Sequence, residues 1–184
     1  MVQDLLFCNE TFRVQCGHKR LVCRAGYCAS LSDLIDSTEN DDRKVVVIAR
    51  FLPEIRAIEK LLQKKQLRYA LIHGGVTDRP AQIEAFQNDP AVRVFIGQIA
   101  TAGLGITLTA ASTMIFYSLD YSMSNYEQTR ARIHRVGQKQ PCTYIHLVAK
   151  GTVDEKVLKA LQDKANLARA LVDDYRAGRN PFGG

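Results

Sequence analysis

The chain has 184 residues, of which 46% are hydrophobic and 24% charged, a composition typical of one globular domain. Its longest apolar runs, such as residues 45–49, have the length of a strand, and no charged-then-apolar leader opens the chain. The sequence therefore predicts a soluble, intracellular protein with no membrane partner. The net charge of +6 suits a polyanion such as nucleic acid, although a mildly basic solvated surface explains it as well.

Cysteines crowd the start of the chain, where four of the five lie within the first 28 residues. Because no secretory leader is present, reduced thiols are expected rather than disulfides. Cys16, His18, Cys23 and Cys28 are residue types that bind zinc, but the sequence lacks the Cys-x-x-Cys pair that usually marks a structural zinc site. A small thiol-rich apolar segment is the alternative, and we predict no metal site.

Apolar patterning in the rest of the chain predicts strands that alternate with helices, after an exposed acidic loop at residues 37–42. The predicted strands cover residues 45–51, 69–72, 92–97, 113–119 and 142–149. Helices are predicted after Pro53, from Thr77 or Asp78 to the stop at residues 88–90, and over residues 125–135. A capping box at residues 152–155 opens a long closing helix. The predicted buried stripe of that helix holds Val157, Leu158, Leu161, Ala165, Ala168 and Leu171.

This order of elements predicts an α/β fold with a mainly parallel sheet and helices on both faces. We expect three parts along the chain. Residues 1–42 form a cysteine-rich lead-in with the acidic loop, residues 43–150 form the α/β lobe, and residues 151–184 form the closing brace helix with its tail.

The most informative segment is residues 128–138, which read QTRARIHRVGQ. On a helix, Gln128, Arg132 and Arg135 have the spacing i, i+4, i+7 and project from one face. A guanidinium group stays charged and binds two phosphate oxygens at once in a bidentate contact. This suits the charge that develops on a transferring phosphoryl group. A basic solvated or DNA-facing helix that ends at Gly137 is the alternative.

This segment resembles the last conserved motif of Swi/Snf-type ATPases, Gln-x-x-x-Arg-x-His-Arg-x-Gly-Gln, and every fixed position is present. The resemblance implies that Arg132 and Arg135 are arginine fingers, which reach across a cleft to ATP held by another lobe. It also implies that Gln128 organises the same face. Ala131 stands where the family often has Asp, so a supporting salt bridge is expected to be absent.

A second informative segment is the glycine-rich loop at residues 101–111, TAGLGITLTAA, which follows a predicted strand. Glycines let backbone approach a ligand closely and threonine hydroxyls bond to phosphate oxygens, although a simple tight turn would also explain the pattern. The loop resembles the coupling motif of the same family, which borders the ATP cleft and contacts the DNA backbone. The resemblance implies that Gly103 and Gly105 lie at the ATP cleft and that Thr107 and Thr109 contact DNA. Thr107 replaces a frequent Asn and is expected still to donate a hydrogen bond.

Residues 73–79, HGGVTDR, resemble the His-Gly-Gly loop that precedes the coupling motif in this family. Arg79 is predicted near a helix N-terminus, where it would meet a DNA phosphate. A surface arginine is the alternative at this position. His73 is expected to have a structural role at the end of a strand.

The resemblance covers residues 45 to 165 and implies a RecA-like fold, specifically the second (C-terminal) helicase lobe of a motor that moves along double-stranded DNA. In such a motor, ATP and Mg²⁺ bind between this lobe and a first RecA-like lobe. After Asp120 the family usually has Trp-Asn-Pro, whereas this chain has Tyr121 and Ser122 and contains no Trp. We therefore predict a divergent branch, bacterial or phage and cytoplasmic, or nuclear if the source is eukaryotic.

The 184 residues contain no Gly-x-x-x-x-Gly-Lys-Ser/Thr loop and no Asp-Glu-x-His-type motif. We therefore expect that this domain alone holds neither ATP nor Mg²⁺ and that the isolated chain has no appreciable ATPase activity. The main alternative is a stand-alone DNA- or partner-binding module without motor activity. Two others are an RNA-unwinding helicase, which usually has Arg where Gln138 stands, and a zinc-stabilised adaptor.

Overall fold

The computed structural model describes residues 3–8, 25–39, 43–100, 105–149 and 151–177. Within these ranges the strands are Gln3–Cys8 (β1), Lys44–Ala49 (β2), Arg68–Ile72 (β3), Val92–Gln98 (β4), Ala111–Phe116 (β5) and Thr143–Ala149 (β6). The helices are Ala25–Glu39 (α1), Leu52–Lys64 (α2), Arg79–Asn88 (α3), Met123–Arg130 (α4) and Val153–Arg176 (α5).

All six of these strands belong to one sheet, in the order β1-β6-β5-β2-β4-β3, and every adjacent pair is parallel. The predicted α/β fold, with a parallel sheet between two layers of helices, is therefore confirmed. Alternate residues of the interior strand β2 are buried in the apolar cores on the two faces of the sheet. This explains why residues 45–49 are a continuous apolar run rather than an alternating one.

Alternate side chains of the central strands enter two separate cores. On one side, which we call the closed face, α1 and α2 cover the sheet. Its buried helix residues are Tyr27, Leu31, Ile35, Ile55, Ile58 and Leu62. On the other side, the loop-bearing face, the cover consists of α3, α4, α5 and part of the glycine-rich loop. Its buried residues outside the sheet include Phe86, Leu108, Tyr126, Ile133, Val157, Leu158 and Leu161.

Helix α3 begins as its sequence predicts. The Asp78 carboxylate caps it by accepting a hydrogen bond of 3.3 Å from the backbone N–H of Ala81, and Pro80 lies in the first turn. Helix α2 begins differently, because no side chain caps it at Phe51. There the backbone N–H of Phe51 donates to the Glu54 carboxylate over 3.2 Å.

Helix α5 follows its predicted buried stripe only over its first half. The stripe residues Val157, Leu158 and Leu161 are buried, as expected. Further along, Ala165 is half-buried, Ala168 is exposed, and the side chain of Leu171 lies outside the described residues. The exposed fraction of Leu167 is 63%, so this apolar residue of the second half of α5 is not part of the core.

Helix α1 precedes the domain boundary that we predict at residue 42. Its buried side chains nevertheless share the core of the closed face with α2, and β1 extends the sheet by pairing with β6. The division of the chain into three parts stays a prediction. Of the helices in the described ranges, none combines the length and apolar content needed to cross a bilayer.

Candidate functional site

Helix α4 leads into the arginine segment, which we define as residues 131–138. The Ser122 hydroxyl caps α4 by accepting from the backbone N–H of Asn125 over 3.2 Å. The helix ends at Arg130, so the predicted continuation to residue 135 is wrong, and turns follow. The physical reason is a tertiary contact, because the backbone carbonyl of Arg132 accepts a 2.9 Å hydrogen bond from the N–H of Leu108.

The early end of α4 changes the geometry of the predicted site. Gln128 is exposed on α4 and its side-chain amide donates to the Ser124 hydroxyl over 3.1 Å. Arg132 and Arg135 lie beyond the helix, so the expectation that all three share one helical face is wrong. The two arginines remain electrostatic neighbours. Burial lowers the pKa of Arg132, and the positive charge of Arg135 lowers that pKa further.

The exposed side chain of Arg135 connects the arginine segment to the glycine-rich loop. Its Nη1 donates to the Thr107 hydroxyl oxygen over 2.9 Å and to the Gly105 carbonyl over 3.0 Å. A longer contact of 3.4 Å reaches the Ile106 carbonyl. Gly105, whose carbonyl accepts from Arg135, has a φ of +65°, a left-handed conformation that favours glycine. The two sequence motifs therefore form one surface.

Gln138, the last fixed residue of the arginine motif, is a second link to this loop. Its side-chain N–H group donates to the carbonyls of Ala111 over 2.8 Å, Ile133 over 3.2 Å and Thr109 over 3.3 Å. Its side-chain oxygen accepts from the backbone N–H of Gln140 over 3.0 Å. Gln138 therefore joins the end of the loop to the buried centre of the arginine segment.

A third link comes from Gln87, which belongs to neither sequence motif. Its Nε2 donates to the Thr107 carbonyl over 2.9 Å, and its Oε1 accepts from the Ala110 N–H over 2.8 Å. The residue lies near the end of α3, 20 residues before Thr107. An amide at the end of a half-buried helix is common, so the sequence offers no signal that would single this glutamine out.

The predicted loop residues have different environments. Gly103 lies outside the described residues, whereas Gly105 contacts Arg135. The Thr107 oxygen accepts from Arg135, which leaves the hydroxyl hydrogen of Thr107 available to a ligand. Thr109 is half-buried, and its carbonyl accepts from Gln138.

Arg79 is the first residue of α3 and its side chain is half-buried. Its Nε donates to the Val76 carbonyl over 3.1 Å, so part of the guanidinium supports its own turn. His73 closes the same turn, because its Nδ1 accepts from the Gly75 N–H over 3.0 Å and its carbonyl accepts from the Val76 N–H over 3.1 Å. The turn therefore fixes the position of the Arg79 side chain at the start of α3.

A buried aromatic cluster attaches α4 to the sheet. His146 on β6 is stacked on Phe116, with ring centroids 5.0 Å apart and 3° between the ring planes, and its Nε2 lies 2.9 Å from the Tyr126 hydroxyl. Burial lowers the pKa of His146 to about 4, and the charge of Arg130 contributes to the same shift. The Arg130 guanidinium in turn lies over the Tyr144 ring, 4.5 Å from its centroid.

The zinc hypothesis rests mainly on residues outside the described ranges, namely Cys16, His18 and Cys23. Cys28 is described on α1, where its Sγ lies 3.3 Å from the Tyr117 hydroxyl. Across the described part of the chain, no group of three or more His, Cys, Asp or Glu residues is arranged to hold a metal ion.

The parallel sheet, the two helix layers and the joined loop and arginine segment define the α/β class of RecA-like helicase lobes. A family model described as the helicase conserved C-terminal domain matches residues 26–137, and the chain belongs to this family. The crystal structure of the C-terminal part of the Fun30 ATPase domain has the same fold, with a TM-score of 0.71 at 23% identity. The match covers 80% of this chain and 48% of that one.

Curated relatives agree with this assignment. The chain is 31% identical over 156 residues to the chromatin-remodeling ATPase INO80 of Cryptococcus neoformans, which covers 84% of this chain and 9% of that protein. It is 31% identical over 147 residues to the DNA repair and recombination protein RAD54-like of Drosophila virilis, which covers 78% of this chain and 19% of that protein. The resemblance to the second lobe of Swi/Snf-type ATPases is thus confirmed. The chain spans less than a fifth of the length of these relatives, and a bacterial or phage source stays a prediction.

Proposed function

We propose that this chain is the second motor lobe of an ATP-dependent translocase on double-stranded DNA. In this proposal Arg132 and Arg135 act on the phosphates of ATP bound between two lobes, while Thr107, Thr109 and Arg79 contact the DNA backbone. The observation that carries it is the set of hydrogen bonds from Arg135 to the glycine-rich loop. A group suited to bind phosphate and a loop suited to bind DNA are thereby in direct contact.

Electrostatics support an anion at the arginine segment. The partial burial of Arg132 and the nearby charge of Arg135 both make the charged form of Arg132 less favourable. A triphosphate placed beside both guanidiniums would relieve that repulsion, and the charge on a transferring phosphoryl group would strengthen the attraction. Gln128, exposed near the end of α4, would organise the approach to this surface.

The DNA part of the proposal rests on the loop and on α3. Thr107 keeps a hydroxyl hydrogen that can bond to a phosphate oxygen, and Thr109 lies two residues further along the same loop. Arg79 lies at the N-terminus of α3, where the backbone N–H groups and the helix dipole also favour an anion. The net charge of +6 would add a long-range attraction to the duplex.

The proposed partner is a first RecA-like lobe that carries the phosphate-binding loop. Among the relatives, INO80 is named as an ATPase, and an ATPase of this kind generally uses Mg²⁺ with ATP. The Mg²⁺ would neutralise charge on the phosphates, and we propose that the first lobe supplies its ligands. The two arginines of this chain would then complete the site from the opposite side of the cleft.

The experiment measures DNA-stimulated ATP hydrolysis by this chain combined with a first RecA-like lobe. We expect Arg132→Ala and Arg135→Ala each to lower kcat by about a hundredfold or more, because each removes a preorganised donor to the developing charge. Arg56→Ala is the matched control. It removes the same charge from an exposed position of α2 on the closed face, and we expect no effect on kcat.

Three results would count against the proposal. Robust DNA-stimulated turnover by the chain alone would contradict its dependence on a first lobe. Unchanged turnover in both arginine variants would contradict their role at the phosphates. Salt-dependent DNA binding without any gain in ATPase activity on addition of the first lobe would favour the stand-alone binding module.

A further inference from the structure

We propose that Gln87 is a positioning residue of the motor. It holds the glycine-rich loop in the shape in which Thr107 and Thr109 meet DNA. This inference rests on the DNA role proposed above for the loop, and it adds a residue on α3 that neither sequence motif contains. Gln87 would act through the loop backbone rather than by touching DNA itself.

The two hydrogen bonds of Gln87 span a turn of the loop. The amide N–H donates to the Thr107 carbonyl over 2.9 Å, and the amide oxygen accepts from the Ala110 N–H over 2.8 Å. Between these two points lies Leu108, which is buried in the core of the loop-bearing face. A single planar amide therefore sets the distance between residues 107 and 110, and the burial of Leu108 holds the backbone between them.

The loop needs this support because residues 105–108 adopt neither helix nor strand and 109–110 form a turn. Backbone groups in such a segment have no ladder partners, so side chains, water or the backbone of another segment must satisfy them, as the Arg132 carbonyl does for the Leu108 N–H. Gln87 satisfies one carbonyl and one N–H at once. Removal of its amide would leave both groups without their protein partner and would release the turn.

The position of Gln87 is itself well fixed. Its neighbour Phe86 is fully buried and packs against Phe95, with ring centroids 5.3 Å apart. The Lys44 ammonium donates to the carbonyls of Phe86 and Asp89 at the end of the same helix. The amide therefore extends from a rigid base, which is what a positioning residue requires.

Gln87 and Arg135 hold the same residue from different sides. Gln87 bonds to the Thr107 carbonyl, whereas Arg135 bonds to the Thr107 hydroxyl oxygen. When Arg135 turns towards a phosphate, its contact with Thr107 is lost. The Gln87 contacts remain, so the loop keeps the shape required for DNA while the arginine acts elsewhere.

The test compares two glutamines of α3 in the intact chain. Gln87→Met removes both loop contacts at similar side-chain volume. Gln82→Met is the matched control, because the Gln82 side-chain oxygen accepts from the Leu71 N–H of β3 over 2.9 Å and does not contact the loop in the described structure. Amide hydrogen exchange reports the loop at Ala110, and an NMR titration with a short DNA duplex reports affinity.

We expect Gln87→Met to speed exchange at Ala110 by about tenfold and to weaken duplex binding by about fivefold, as the loss of two neutral hydrogen bonds implies. Gln82→Met should change neither quantity at the loop. A third variant, Thr107→Val, removes the proposed DNA contact directly and should weaken duplex binding in the same titration.

The outcomes separate the inference from the proposed function. If Thr107→Val weakens binding but Gln87→Met behaves like Gln82→Met, the positioning role of Gln87 is overturned and the DNA role of the loop stands. Faster exchange at Ala110 in Gln87→Met with unchanged DNA affinity would also overturn it. If Thr107→Val and Gln87→Met both leave binding intact, the DNA role of the loop and the inference built on it both fail.

Discussion

Both faces of the sheet have a buried apolar core, but their helices and loops are attached to it in different ways. On the closed face, α2 begins without a side-chain cap and is held by three fully buried aliphatic residues, Ile55, Ile58 and Leu62. On the loop-bearing face, α3 and α4 begin with side-chain caps. Polar side chains also fasten the glycine-rich loop to α3 and to the arginine segment on that face.

This difference suggests that one set of contacts mainly stabilises the lobe and the other mainly responds to ligands. Buried apolar contacts are non-directional and hold the closed face together without specifying any movement. Hydrogen bonds are directional and contribute less individually, so they can be exchanged for contacts with a ligand. We therefore expect substitutions on the closed face chiefly to lower stability, and those around the loop to change binding or turnover more than stability.

The largest expected effect on stability is at Ile58, a fully buried residue of α2 in the core of the closed face. Ile58→Ala should lower the free energy of unfolding by about 2–5 kcal/mol, because it removes buried apolar atoms and leaves a cavity. Urea denaturation measures this change. Duplex binding by the remaining folded protein should match that of the wild type, and weaker binding there would break the distinction between the two faces.

The buried His146 gives the loop-bearing face a pH dependence of intermediate size. Its pKa in the folded chain, about 4, lies below its unfolded value of about 6.5. Below pH 6.5 the unfolded chain therefore binds more protons than the folded chain, and acid favours unfolding. The contribution of His146 to the free energy of unfolding should be fully present above pH 6.5. Stability should then fall by up to about 1.4 kcal/mol per pH unit as the pH decreases towards 4.

The check on His146 is a set of urea unfolding curves across this pH range. His146→Phe keeps an aromatic ring beside Phe116 and should remove this part of the pH dependence. His134→Gln, at an exposed position of the arginine segment, is the control for the loss of a histidine. An unchanged slope in His146→Phe would show that the buried histidine is not the group responsible.

The smallest expected effect is at Ser122, the cap of α4. Ser122→Ala should lower the free energy of unfolding by about 1 kcal/mol, because the Asn125 N–H loses its partner. The measurement is again urea denaturation, beside Ile58→Ala. A loss from Ser122→Ala as large as that from Ile58→Ala would contradict the view that burial dominates stability in this lobe.

Much of the fold was predictable from the sequence because the central strands are apolar throughout and alternate with helices. β2, β3, β4, β5 and β6 lie within a few residues of their predicted positions. Two elements before residue 42 were not predicted. The side chains of α1 that enter the core, such as Leu31 and Ile35, are recognisable as buried only once α2 lies beside them.

The two motifs that meet at the candidate site were recognisable in the sequence, but the geometry that joins them was not. The spacing of Arg132 and Arg135 suggested a continuous helix. In the structure, the Leu108 N–H donates to the Arg132 carbonyl and turns replace the helix. A contact between segments more than 20 residues apart leaves no periodic trace in the sequence. Gln87 has no recognisable sequence signal for the same reason, because its side chain contacts residues 20 and 23 positions further along the chain.

The contact between Arg135 and Thr107 also has a thermodynamic consequence. If a nucleotide anion binds Arg135 and breaks this contact, the Thr107 hydroxyl loses a partner. The free energy of DNA binding at Thr107 would then differ between the nucleotide-free and nucleotide-bound lobe. Because free energy is conserved around the cycle of two binding steps, DNA must change the affinity for the anion by the same factor as the anion changes the affinity for DNA. Under the proposed function, therefore, DNA binding and nucleotide binding at this lobe would share one coupling free energy, which could be measured by titrating either ligand.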